Sequence, residues 1–345
     1  MSAINEELIK KVFAEMVRNR PALSKYMPDK EDDEEIDYRI MGDLVIKNFP
    51  WPIGVELRRL FSGSMRQPCK IRLDQIFKTI ERSMQFVGFV MVCQVWYDII
   101  SKKVILPDQV KNEFVNRFSV LSMGNFCWLI RALGTTYSDQ KLEWFLPEIN
   151  EQFDNKFFAA LDFWVPERNE IGHYQINLDE REIEKRCIEY EEKLALILQR
   201  IAFFAKYRLV SVRDIKVIKP RIHKAKFHHV IDLLNSSDSD FKGQEIDEAT
   251  FSDSHSVLLM KSIKSFDDCL NLSPLVIDTN SETIDTKEKF DLRKDIFMYT
   301  KYRNGHLMYL GTEVTEKCDL RSLSNYNTLL EEYKELMLAI GGVAV

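Results

Sequence analysis

The sequence predicts an α+β fold: an N-terminal antiparallel α-helical bundle followed by a smaller β-rich C-terminal domain. Three observations carry this. Apolar residues recur at helical spacing up to about residue 206. Near Tyr207 the pattern changes to short, alternating, β-branched runs. The chain has 345 residues, 45% of them hydrophobic and 30% charged, which suits two domains of ordinary size with full cores. The expected divisions are 1–69, a helical and irregular extension; 70–206, the bundle; and 207–345, the β-rich domain with a terminal helix.

Residues 4–18 carry Ile4, Leu8, Ile9, Val12, Phe13 and Met16 in helical phase. The run "DKEDDEEID" at 29–37 reads as a solvated linker. "IKNFPWPIGVELRRLFSG" at 46–63 reads as irregular structure around a short helix, because of its prolines and glycines. One long helix is expected from about Arg72 to Lys102. A second follows Pro107 to Gly134 with a kink near Gly124, and a third covers about 141–163. Asp179 or a neighbour caps a further long helix, with Ile183, Cys187, Tyr190, Leu194, Ile197 and Ile201 in phase. Strand-length runs then follow from "RLVSVRDIKVI" to "GHLMYLGTEV", around a polar loop at 234–256. The Asn-Gly of "KYRNGHLMY" is the strongest hairpin signal. A helix at about 324–339 closes the chain.

Several function classes lose support at this stage. The six cysteines are scattered singly, which argues against a zinc site and for a reducing, cytoplasmic setting. No leader-like apolar stretch opens "MSAINEELIKK". The apolar run 84–100 is broken by Gln85, Gln94 and Asp98 and reads as a core helix, so no membrane association is expected. The net charge of −6 gives no global attraction to nucleic acid. His223, His228, His229 and His255 lack acidic or Cys partners at ligand spacing and read as ordinary strand-surface histidines, so no metal is expected. Phosphate-loop, dinucleotide, zinc-protease and nucleophile-elbow motifs are all missing from the sequence.

One stretch carries chemistry: "WVPERNEIGHY" at 164–174, with Arg168, Asn169 and His173. An arginine can hold a phosphate through several N–H donors. A histidine titrating near neutrality can move a proton to or from a ribose hydroxyl or a leaving oxygen. Five residues span about 1.4 helical turns, so both are expected to project into a shared cleft at a helix end. Spacing alone is not selective, since Arg221 and His228 satisfy a similar pattern in a strand. The competing reading makes "PERNE" a helix start, with Arg168 paired to a neighbouring glutamate and His173 a simple cap.

The setting of Arg168-Asn169 and Gly172-His173 between bundle helices resembles the HEPN family (higher eukaryotes and prokaryotes nucleotide-binding domain). "VLSMGNFCWLIRALG" looks like the preceding helix of prokaryotic members, and the resemblance covers roughly 70–206. It implies a metal-independent, cofactor-free endoribonuclease, a nuclease toxin of antiviral defence or stress, whose site forms when two bundles make a homodimer. Arg168 would contact the scissile phosphate, His173 would be the general acid/base, and Asn169 would orient these two or bind the phosphate. Tyr174 stands where a small residue is common and could narrow the cleft. The intact pair favours activity; the alternative is a non-catalytic helical adaptor for a protein or nucleotide.

Two tracts are locally basic, 58–82 and 200–226. The second follows the last bundle helix, so Arg200, Lys206 and Arg208 are the candidate RNA-binding residues, with Tyr174; the alternative for this tract is an ordinary charged β face with a buried aromatic side. The β-rich part shows no chemistry of its own. "LNLSPLVID" and "KDIFMYTKYRNGHLMYLG" look like tails attached to anti-phage effectors. The expectation there is a domain that receives a regulatory protein or nucleotide trigger.

Overall fold

A computed structural model describes residues 5–27, 37–119, 121–174, 179–235, 242–249, 252–279, 295–313, 317–318 and 320–344. For 64, 169–174, 242, 317 and 318 it describes the backbone alone. The protein is mixed α+β, with helices along its N-terminal part and two antiparallel sheets in its C-terminal half. It forms two compact units: 1–85 with 146–206, and 86–145 with 207–345. Each unit is built from separated stretches of chain, whereas the expected divisions run consecutively. Most of the acidic run 29–37 lies outside the described residues.

The first unit begins with α1 (Glu6–Asn19), which buries Leu8, Ile9, Val12, Phe13 and Met16 on one face. The stretch 46–63, expected to hold a short helix within irregular structure, carries the end of α2 (Tyr38–Asn48) and the ten-residue α3 (Trp51–Leu60). The prolines fit this helix start. Pro50 precedes α3 and Pro52 falls in its first turn, where a missing N–H costs no helical hydrogen bond. Asp37 caps α2 by accepting from the backbone N–H groups of Arg39 and Ile40.

Helix α4 (Lys70–Ile100) runs for 31 residues and supplies 70–85 to the first unit and 86–100 to the second. By length and composition it could cross a membrane, but 78% of its most apolar window is buried, as in a core helix. The apolar run at 84–100 is thus only the second half of a longer element.

The expected single helix from 108 to 134 is two, α5 (Asp108–Phe118) and α6 (Met123–Asp139). Ser122 starts α6 by accepting from the Asn125 N–H at 3.3 Å, so the chain stops and restarts there. The stretch expected to be helical from 141 begins later, with α7 (Glu148–Gln152) and then α8 (Asn155–Tyr174). Helix α9 (Glu180–Arg200) follows; the Asp179 carboxylate accepts from the Glu182 N–H at 2.8 Å, the cap expected from sequence.

In the second unit, β1 (Arg208–Ile218), β2 (Lys226–Leu233), β3 (Lys242–Glu248), β4 (Val257–Met260) and β5 (Cys269–Asn271) form one sheet in the order β3-β2-β1-β4-β5. Strand β3 occupies part of the stretch expected to be loop. Its alternating Gln244, Ile246 and Glu248 pair with β2, so a cross-strand partner outweighs a polar composition. The core of this sheet holds Val210, Val212, Ile231, Leu258, Met260 and Phe266.

A second sheet is ordered β6-β7-β8-β9, from β6 (Val276–Asp278), β7 (Ile296–Arg303), β8 (His306–Gly311) and β9 (Lys317–Cys318). The Asn-Gly hairpin is present: Arg303 pairs with His306, and Asn304 and Gly305 have φ of 53° and 78°. Two left-handed residues give the turn whose twist matches paired strands.

Helix α10 (Tyr326–Gly341) completes the unit. Tyr333 of α10 and Tyr299 of β7 share a hydroxyl hydrogen bond of 2.7 Å, and Tyr299 stacks on Phe118 of α5. A Cβ at Gly341 would lie 2.5 Å from Val115, so α10 approaches α5 closely only because that residue is glycine.

Candidate functional site

The motif does not sit in a turn between helices. It occupies the last turns of α8, which continues through Pro166. Proline removes one intrahelical donor, yet the helix is held on both sides of it. Upstream, Phe157, Ala160, Leu161 and Trp164 form a buried stripe. Trp164 packs edge-on against Phe77 of α4 and Tyr190 of α9, at centroid distances of 5.5 Å each.

Arg168 stands four residues beyond Trp164 on the same stripe, and Glu81 stands four beyond Phe77. One turn after the Trp164–Phe77 contact, Arg168 Nη2 donates to both Glu81 carboxylate oxygens, at 3.0 and 3.2 Å. The arginine side chain is 43% exposed and the glutamate 30%. Among the described residues, Arg168 Nε and Nη1 have no partner. The competing reading pairs Arg168 with Glu167 or Glu170; among the described residues its carboxylate partner is Glu81, 87 positions away in the chain.

The side chains of Asn169, His173 and Tyr174 lie outside the described residues. Their backbone is helical, and that alone constrains the geometry. At about 100° per residue, positions 169 and 173 share one face, one turn apart. Position 168 points about 100° to 140° away from both. The helical backbone thus places positions 169 and 173 on one face and 168 on another; the expected meeting of Arg168 and His173 in one cleft turns on a side chain outside the described residues.

Beside the motif, Glu167 accepts a hydrogen bond from the Tyr190 hydroxyl. Burial first, and Glu167 second, push the Tyr190 pKa well up, so the phenol stays a donor. Arg186 Nε contacts Glu182 at 2.8 Å, and its Nη1 reaches the Tyr190 oxygen at 3.3 Å. Tyr190 was legible as a core position of α9. Glu81 carries no sequence signal as Arg168's partner, since only the packing of α4 on α8 brings them together.

The expected RNA-binding residues lie elsewhere. Arg200 donates to Gln152 and Asp154, at 3.3 and 2.9 Å, and Lys206 meets Glu148 at 2.7 Å. Those carboxylates flank the start of α8. From Asp154 to Arg168 is fourteen residues of chain, about 21 Å along a helix axis. Arg200 and Lys206 thus gather at the opposite end of α8 from the motif. The Phe157 N–H, and then Arg200, hold the Asp154 carboxyl below its ordinary range despite the opposing effect of burial. Arg208 belongs to the second unit, where it donates to the Tyr207 carbonyl at 2.8 Å.

The other basic tract is also largely committed. Arg72 is fully buried and pairs with Glu191 at 2.6 Å and with Asn5 at 2.8 Å. Arg59 and Arg82 share Glu56.

Metal and thiol chemistry gain nothing from the fold. No group of three or more His, Cys, Asp or Glu converges on a metal-sized site among the described residues. His229, expected on a strand surface, is buried: its Nε2 accepts from the Ser252 N–H at 3.2 Å and its ring lies 4.3 Å from that of Phe266. An Nε2 that accepts is unprotonated, so this is a satisfied core histidine. Burial pushes the Cys187 and Cys269 thiols up to about 11 and Cys93 higher still, which makes them poor nucleophiles. Comparison with protein-family models, curated proteins and solved structures finds no match.

Proposed function

We propose that the protein is a metal-independent, HEPN-like endoribonuclease of the cytoplasm, acting as a homodimer in cellular defence or stress. The observation that carries the reading is the placement of Arg168. It ends the buried stripe of α8 at the surface, with one nitrogen on a carboxylate and two donors open among the described residues. A carboxylate is the side chain closest to a phosphate in how it accepts from arginine, so Glu81 marks where a phosphate oxygen would sit.

Cleavage requires no outside reactant. The ribose 2′-oxygen attacks the adjacent phosphorus and gives its proton to a histidine. The 5′-oxygen leaves and takes a proton from an imidazolium, giving a 2′,3′-cyclic phosphate and a 5′-hydroxyl. Arg168 neutralises charge on the phosphorane, Asn169 orients the phosphate and His173 handles the protons. On this reading a second copy of α8 faces the first and completes the site, as the HEPN resemblance implies. The second unit receives the regulatory partner or trigger, and no membrane is involved.

The test is incubation of the full chain with RNA in EDTA, alongside Arg168→Ala and His173→Ala. Each variant is expected to lose at least about 100-fold in cleavage, the usual contribution of a proton-transfer group. Cleavage that survives both substitutions, or a wild type that never cleaves, overturns the nuclease reading. The second of those outcomes favours the non-catalytic adaptor, a reading that the existing neutralisation of Arg168 by Glu81 also supports.

A further inference from the structure

The second unit contains a cavity of about 840 Å³, within the size range of small-molecule sites. Its walls come from the end of α4, residues 142–145, the stretch 266–273 and α10. Carboxylates dominate it: Asp98 from α4, Asp267 and Asp268 beside β5, Glu332 and Glu335 from α10. Glu143 and Asp253 add two more, against Lys103 as the sole lysine or arginine in the lining.

Two polar atoms in this lining are buried with no hydrogen-bond partner. One is the hydroxyl of Ser273, a residue only 4% exposed; the other is Glu332 Oε2. A buried polar atom without a partner is costly, and a water or a ligand group in the cavity would supply the missing partner. Burial, with Asp253 and Glu335 nearby, pushes the Glu332 carboxyl up to about 7. A cation arriving beside it would reverse that shift.

The protein's own ammonium groups show what this wall accepts. Lys103 Nζ lies 5.4 Å from the Tyr97 ring centre and 3.7 Å from Asp98. Lys261 Nζ lies 4.8 Å from the Phe145 ring centre and 4.0 Å from Asp268. Each is an ammonium placed between an aromatic face and a carboxylate. All four of those acceptor residues line the cavity.

We infer that this cavity binds a linear aliphatic polyamine, its ammonium groups on the spread carboxylates and its methylenes along the aromatic wall. The carboxylates do not converge on a metal-sized point among the described residues, so an extended multiple cation fits better than a compact one. The same charge repels a polyphosphate, so a nucleotide trigger would have to bind somewhere else. This inference does not depend on the nuclease reading.

The experiment is calorimetric titration of the full chain with spermidine at low salt, with MgCl2 as competitor. Saturable binding is expected at submillimolar concentration, with Mg²⁺ competing no better than NaCl of equal ionic strength. The Glu332→Gln/Glu335→Gln pair should weaken binding about tenfold or more, and Ser273→Ala should weaken it less. Asp214→Asn, an exposed carboxylate of β1 outside the lining, should leave it unchanged. Circular dichroism checks that each variant folds. No saturable heat up to about 10 mM, a double variant that binds like wild type, or displacement by Mg²⁺ at equal charge would each overturn the inference.

Discussion

In the first unit, Arg72, Arg168, Arg200 and Lys206 each meet a carboxylate at 3.0 Å or less. Around the cavity of the second unit, Glu143, Glu332 and Glu335 meet no cationic side chain among the described residues. The contrast separates two uses of charge. Paired charges inside a helical unit fix which helices pack on which, and these four cations are already engaged when an outside anion arrives. Unpaired charges lining a cavity raise the free energy of the empty state, and an added cation lowers it. A basic tract in sequence is therefore weak grounds for a nucleic-acid surface, and a globally acidic chain can still concentrate its acid in one place.

The sharpest way to break this comparison is at Arg72. Arg72→Met leaves Glu191 and Asn5 without their buried donor and should cost about 3–5 kcal/mol in urea unfolding. Adding Glu191→Leu should recover much of that loss, because the pair is then removed together. A single variant as stable as wild type would mean that the pairing holds nothing.

Glu332 supplies the next largest effect, with the opposite sign. Its folded pKa of about 7 lies above the ordinary 4.5, so the folded state resists ionisation. Stability is untouched below about pH 4.5, falls as pH rises toward 7 and is flat above. The groups that bear on it are Asp253, Glu335, Cys93 and Tyr309. Glu332→Gln should therefore stabilise by about 1–2 kcal/mol above pH 7, allowing for its partial exposure, and by nothing at pH 4. Thermal melts across that range give the answer; equal gains at both ends would remove the carboxyl from the argument.

The smallest expected effect is at Glu81. As one half of a partly exposed pair, Glu81→Gln should change stability by less than about 1 kcal/mol. It frees Arg168, so RNA binding should strengthen a few-fold on the proposed reading. Weaker binding would show that Glu81 positions Arg168 rather than competing for it.

What was legible in the sequence follows from range. The Asn304-Gly305 turn, the Asp179 cap and the α9 core positions are set by neighbours within one or two turns, and they stand where expected. The break at Ser122 was hidden because its capping hydroxyl lies inside an otherwise continuous apolar pattern. Pro166 reads as a helix boundary, yet contacts from α4 and α9 carry α8 through it. At the candidate site Arg168 could be singled out by type and setting. Its partner Glu81, the burial of Arg72 and His229, and the gathering of cavity carboxylates all depend on residues far apart in the chain.

Helix α4 has a practical consequence for anyone dissecting this protein. Because its second half, together with α5 and α6, belongs to the unit that holds the sheets, no single cut yields both units intact. Ending the chain at residue 206 discards the sheets but keeps 86–145, stranding Phe89 and Phe118 without the Tyr299 ring they pack against. Expressing 207–345 alone strips the same ring from the other side. A gene that encodes these units can exchange one of them only by replacing two separate segments together, because the units alternate along the chain, and a truncation that kills activity would say as much about solubility as about control.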